Sequence, residues 1–159
     1  MIFLSWIYFT VASMISAQIA IVSYQSENVV NEGYAVGRKN IMAYALMHGY
    51  DYLVFNETTV PHIGNETRKV LSSFGFFRHH WTKPHLLKFV IEEKKYDWIA
   101  YFDSDIIITN MTRKLDHYLG DQKHDLVIAD DVAGICNGVF FVKRNVWSKN
   151  FMNLWWGER

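Results

Sequence analysis

The chain has 159 residues, half of them hydrophobic and 16% aromatic. That supports one compact domain with a substantial core and excludes both a disordered chain and two ordinary domains. Sixteen Lys and Arg balance sixteen Asp and Glu, so neither a basic patch nor an acidic tail points to nucleic acid as a partner. Cys136 is the only cysteine, which excludes an internal disulfide and argues against a cysteine-based zinc site; burial is its simplest explanation.

From Met1 to Ser26 there is no charged side chain, and Ile2 to Ile15 is mostly large and apolar. Three readings stay open: a signal peptide ending near Ser16 and Ala17, an uncleaved signal anchor, or a buried element of the domain. Either of the first two implies membrane association or secretion. Three sequons favour the secretory lumen, Golgi or endoplasmic reticulum. They make Asn56, Asn65 and Asn110 candidate N-glycosylation sites.

"QIAIVSY" (18–24) reads as a buried strand, and a helical rhythm from Tyr34 to His48 places Ile41, Tyr44, Ala45 and His48 on one face. Gly49 is a natural stop, and "YDYLVFN" (50–56) reads as a second strand. Residues 57–81, with "FGFFRHHW", read as a long surface excursion over an aromatic patch, its His79 and His80 as surface histidines. Thr82 is placed to cap a helix opening on Lys83-Pro84, with Leu86, Leu87, Val90 and Ile91 as its apolar face.

Next come a strand "WIAYFD", a short element at 106–108 and a helix near 112–119. Strands at 125–130 and 138–143 and a helix from Asn145 follow. Strands alternating with helices predict an α/β sheet that is mostly parallel. Trp81, Phe140 and Trp147 are expected in the core.

Ligands in such sheets bind beyond the carboxyl ends of the strands. Asp103, Asp105, Asp130 and Asp131 all fall at predicted strand ends, on one rim. Asp-x-Asp alone is a weak signal, and its bland reading is a capped turn. Here the pair closes a strongly apolar strand, where an unpaired carboxylate is costly. Two carboxylates one residue apart can converge on Mn²⁺ or Mg²⁺, with Ser104 supporting the turn. Such an ion can hold a diphosphate as a leaving group. A rival reading is a phosphatase of the haloacid-dehalogenase type, with Asp103 as nucleophile and "LVIADD" as its later acidic pair. Ile107 and the short interval between the two motifs count against it.

With these motifs in order, the chain from about Ile19 to Trp156 resembles glycosyltransferase family 34, the α-galactosyl-, α-mannosyl- and xylosyltransferases of GT-A fold. "YAVGRKNIMAYALMHGYDYLV" looks like the family's first helix, and "WTKPHLLKFVIEEKKYDWIAYFDSDIIITN" like its Trp-x-Lys helix and Asp-x-Asp strand. "DLVIADDVAGICNGVFFVKRNVWSKNFMNLWW" looks like its Asn-x-Gly-x-Phe segment. Related nematode nucleotide-diphospho-sugar transferase-like proteins match as well at "FFRHHW".

The resemblance implies a GT-A-type, Rossmann-like sheet and retaining transfer from a UDP- or GDP-sugar to a glycan or glycoprotein acceptor. It implies Asp103 and Asp105 as metal ligands, with Asp103, Ser104, Asp105 and Lys83 at the donor. Asp131, Gly134, Asn137 and Gly138 would lie on a donor or acceptor loop. On this reading residues 1–17 are the leader and 18–159 a partial GT-A domain.

There are two departures. Cys136 takes the place where the family has the Asn of Asn-x-Gly, and Asn137 is displaced by one, which on a regular strand turns its amide to the other face. The family's later acidic segment and metal-binding histidine also have no counterpart before Arg159. A nucleotide-binding remnant without turnover is therefore the alternative to an active transferase.

Overall fold

The computed structural model describes residues 17–25, 32–56, 59–60, 78–121, 123–132 and 134–157. Residues 1–16 of the leader, residues 61–77 with Asn65, and the side chains of His79, His80 and Asp131 lie outside the described residues.

Strand β1 (Ile19–Tyr24) is an unbroken apolar run apart from Ser23, and all six of its residues are buried. That is the signature of a strand covered on both faces. Helix α1 (Glu32–His48) follows and ends on Gly49, whose φ of 74° lies in the left-handed region that favours glycine. The N–H of Tyr50 returns to the Ala45 carbonyl at 2.9 Å, the hydrogen bond of a Schellman end. Strand β2 (Asp51–Phe55) comes next, then helix α2 (Arg78–Glu93) and the fully buried strand β3 (Trp98–Phe102). A 3₁₀ turn spans Leu115–Tyr118. Strand β4 (Leu126–Asp131), strand β5 (Gly134–Lys143) and helix α3 (Val146–Gly157) complete the order.

The strands form one sheet in the order β2-β1-β3-β5-β4. β1 pairs in parallel with both β2 and β3, while β5 is antiparallel to β3 and to β4. Four strands thus run one way, and β5 alone returns between them. The carboxyl ends of β3 and β4 share a rim with the start of β5.

Side chains alternate across the sheet as strand geometry requires. Trp98, Ala100 and Phe102 of β3 join Ile19, Ile21, Ile41 and Tyr44 in the core on the α1 side. Ile99 and Tyr101 join Val22, Leu86, Leu87, Val90 and Met152 in the core that includes α2 and α3.

Four local expectations are corrected. Helix α2 starts at Arg78, a turn before Thr82, and carries Pro84 inside it. The Thr82 side chain is buried rather than set at a helix start. Residues 106–108 form no regular element; Ile108 gives its N–H to the side chain of Asn40. The 112–119 region holds only the 3₁₀ turn, and β5 begins four residues earlier than its apolar stretch suggests.

Among the described residues no helix is long and apolar enough to cross a membrane.

Candidate functional site

β3 leaves the core at Phe102 and delivers Asp103 to the rim. The Asp103 N–H donates to the Gly138 carbonyl at 2.8 Å, so β5 still flanks it. Asp103 follows Tyr101 by two residues and falls on the same face, the face covered by α2. That helix supplies Lys83, 3% exposed.

The Lys83 Nζ lies 2.9 Å from Asp103 Oδ2 and 2.9 Å from Oδ1. It also donates to the Asn137 carbonyl at 3.2 Å and approaches Asn137 Oδ1 at 3.4 Å. Below it lies the Tyr101 ring, 5.0 Å from ammonium to centroid, a cation–π contact. The Tyr101 hydroxyl donates to Asp103 Oδ1 at 3.1 Å. Burial, and then the Asp103 charge, push the Tyr101 pKa well above its usual value, so the phenol remains a neutral donor. The immediate neutraliser of Asp103 is therefore Lys83, which is not a solvated lysine at a helix start.

Asn137 reaches this network through an irregularity. Ile128 pairs with Phe140, but the next residue of β4, Ala129, pairs with Cys136. Residues 137–139 are extra on β5 and bow out of the β4 ladder, while Val139 stays paired with Phe102 of β3. The bulge cancels the simple alternation, so the one-residue displacement of Asn137 does not take it away from Lys83. Cys136, expected to be buried, is only half-buried. At Gly138 an added Cβ would stand 3.3 Å from Asp103 Oδ2, so glycine keeps that carboxylate clear.

Beyond Asp103 the chain turns sharply, with the Ile106 N–H returning to the Asp103 carbonyl at 3.2 Å. Gly37 of α1 packs on this turn so closely that any Cβ there would collide with the Ser104 carbonyl oxygen. Ser104 is buried as a result, and Asp105 is exposed. Asn40 of α1 brackets Ile108, accepting its N–H at 2.7 Å and donating to its carbonyl at 3.2 Å.

The structure thus brings Lys83, Asp103, Asn137 and Gly138 into one network, with Ser104 and Asp105 on the adjoining turn. Asp130, Asp131 and Gly134 share the rim but lie on the hairpin beyond the bulge, where Asp130 pairs with Ile135 and Asp131 with Gly134. Phe140 is core, at 1% exposed, and Trp81 is half-buried. Trp147 is a correction: it is exposed and stacks on Phe151 at 5.2 Å. Tyr101, Gly37 and Asn40 were not anticipated. Only Tyr101 carried a signal, its place two residues before Asp103 on the same face.

Among the described residues no three or more His, Cys, Asp and Glu side chains gather as a metal-binding group. The available donors are the hard carboxylate oxygens of Asp103 and Asp105. They suit Mn²⁺ or Mg²⁺ when water and phosphate complete the shell. Asp105 makes no hydrogen bond or ion pair among the described residues, whereas Asp103 would be shared with Lys83. On the opposite face a cavity of about 440 Å³ is lined by Phe102, Ile106, Ile107, Val127, Val139 and Phe141 among others.

The fold is a glycosyltransferase-type α/β fold, like that of a solved glycosyltransferase involved in the glycosylation of the major capsid of PBCV-1. The two superpose with a TM-score of 0.65 at 17% identity, over 89% of this chain and 66% of the other. Residues 41–157 match the family described as a protein of unknown function, DUF273, and the chain belongs to that family. It is similar to the probable alpha-1,6-mannosyltransferase MNN10 of Saccharomyces cerevisiae, 22% identical over 79% of this chain and 36% of that protein. It is also similar to galactomannan galactosyltransferase 1 of Cyamopsis tetragonoloba, 25% identical over 76% of this chain and 29% of that protein. The chain thus spans about a third of the length of these curated relatives.

Proposed function

We propose that this chain carries the donor half-site of a metal-dependent retaining glycosyltransferase of the secretory pathway. It would use a UDP- or GDP-sugar and pass a hexose or pentose to a glycan or glycoprotein acceptor. The carrying observation is the buried Lys83 paired with the half-buried Asp103, beside the exposed Asp105, at the carboxyl end of the central strand of a glycosyltransferase-type sheet. The relatives' names, a mannosyltransferase and a galactosyltransferase, support the reaction class.

In this reading Asp105 and Asp103 would hold Mn²⁺ or Mg²⁺. The ion, when bound, would screen the diphosphate and make it a better leaving group. Lys83 fixes the orientation of Asp103 and keeps a positive charge next to where the diphosphate binds. Asn137 anchors Lys83, and Tyr101 holds Asp103 Oδ1. Gly138 leaves room for a ligand against the carboxylate. Burial shields the Lys83 ammonium from water, while the Asp103 carboxylate stays partly open to a ligand.

Incubation with a panel of UDP- and GDP-sugars and Mn²⁺, followed by mass spectrometry of the nucleotide, tests this. Release of UDP or GDP from one sugar class, lost in Asp105→Asn, supports the proposal. Retention of every donor intact, by protein that nevertheless binds nucleotide, would reduce it to the non-catalytic alternative.

A further inference from the structure

The turn after residue 108 carries a sequon, Asn110-Met111-Thr112, that the donor half-site does not use. Asn110 organises this turn through its carbonyl oxygen alone. Its Oδ1 accepts the N–H of Thr112 at 3.2 Å, the hydroxyl of Thr112 at 3.0 Å and the N–H of Arg113 at 3.2 Å. The turn is then pinned to α1 from three sides. Asn40 brackets Ile108, His48 Nε2 meets the Met111 carbonyl at 2.7 Å, and the Tyr44 hydroxyl donates to the Arg113 carbonyl. Asn110 is exposed, and its Nδ2 makes no hydrogen bond among the described residues. The one atom to which an N-linked glycan attaches is the one this turn leaves unused.

The other described sequon asparagine, Asn56, organises its turn in the same way but is half-buried where Asn110 is exposed. Its Oδ1 accepts the N–H and hydroxyl of Thr59 at 2.9 and 2.8 Å, and its own N–H donates to the Thr59 hydroxyl at 2.8 Å. The adjoining Val60 is 2% exposed and in the core.

We infer that, of the two described sequon asparagines, Asn110 is the one that carries an N-linked glycan, in preference to Asn56. The Asn110 Nδ2 attacks C1 of an oligosaccharide carried on a polyprenyl diphosphate. The N–C1 bond forms, the C1–O bond to the diphosphate breaks, and Nδ2 gives up one proton to the transferase. The attached glycan stands at the mouth of the 440 Å³ cavity, which Thr109 and Asn110 help line. It lies near Ile107 and Tyr118, 47% and 46% exposed. A hydrated glycan there covers apolar surface without touching the Lys83–Asp103 network on the other face.

This inference rests on the secretory reading. The full chain is expressed in a eukaryotic secretory host, released by an N-glycanase in ¹⁸O-water, and mapped by mass spectrometry for labelled aspartate. Label at residue 110, and loss of one glycan's mobility shift in Thr112→Ala, is the expected result. Thr112→Ala keeps both backbone bonds to Asn110 Oδ1, so it tests the site even where Asn110→Gln folds poorly. Label at Asn56 or Asn65 with Asn110 unmodified overturns the inference and leaves the secretory reading standing. No label at any of the three overturns both.

Discussion

The ammonium of Lys83 stands 2.9 Å from each carboxylate oxygen of Asp103, although the two residues come from different elements. Their burial is unequal: the Lys83 side chain is 4% exposed and that of Asp103 is 32% exposed. An uncompensated charge costs more the deeper it lies. The two halves of the pair are therefore not equivalent under mutation.

Asp103→Ala strands a buried ammonium and should destabilise the fold by ~3–5 kcal/mol. Lys83→Met keeps the apolar stem and leaves a carboxylate that water and Tyr101 can still serve, so it should cost only ~1–2 kcal/mol. Urea denaturation of both variants measures the difference. Equal losses would show that the pair is not buried asymmetrically.

The close approach of α1 to the Asp-Ser-Asp turn makes Gly37 sensitive to a single methyl group. Gly37→Ala forces its Cβ against the Ser104 carbonyl oxygen, with Ile106 O also only 3.1 Å away. Relief requires α1 or the turn to shift, and the expected cost is ~1–3 kcal/mol. Helix propensity alone would make the change favourable. A melting temperature that rises in Gly37→Ala would contradict the packing described here.

Asn40 replaces a strand partner for Ile108, bonding both its N–H and its carbonyl. Asn40→Leu removes both bonds while filling similar space, leaving a half-buried N–H without this partner. A loss of ~1–3 kcal/mol is expected. Hydrogen exchange at the Ile108 amide should accelerate in the variant before exchange in β1 or β3 changes.

Much of this fold was legible because its strongest signals are local. β1 and β3 are apolar runs buried along their length, and the Ile41–Tyr44–Ala45 face of α1 follows a period that only a helix satisfies. Gly49 marked the end of α1 for a reason of backbone conformation. The site was only half legible. Asp103 and Asp105 stood out because carboxylates at the end of an apolar strand demand an explanation. Their surroundings depend on contacts between residues far apart in the chain. Lys83 meets Asp103 across 20 positions and Asn137 across 54. The bulge that brings Asn137 there is a register shift between β4 and β5, which strand alternation cannot express. The start of α2 was misplaced because Thr82-Lys83-Pro84 satisfies the rules for a helix start, and packing overrides them.

Alkaline pH should unfold the protein through its buried phenols. Burial, helped by nearby Tyr118 and Asp116, pushes the Tyr44 pKa up to about 12, and burial raises that of Tyr50 as well. An unfolded tyrosine ionises near ~10. Between these values the folded state holds protons that the unfolded state has lost, so stability falls as pH rises. The contribution is complete below pH ~10 and is lost as pH rises through the raised folded-state value. Urea midpoints taken from pH 9 to 12 should fall steadily, and Tyr44→Phe should flatten part of that slope.

The central claim is that Asp103, Asp105 and Lys83 form a metal-dependent donor half-site. Its most direct test is a thermal-shift panel with UDP, GDP and CMP, each with and without Mn²⁺, since a ligand selective for the folded state raises the melting temperature. The account predicts a rise with UDP or GDP only when Mn²⁺ is present, abolished in Asp105→Asn. A cooperative melt that no nucleotide–metal pair moves would contradict it.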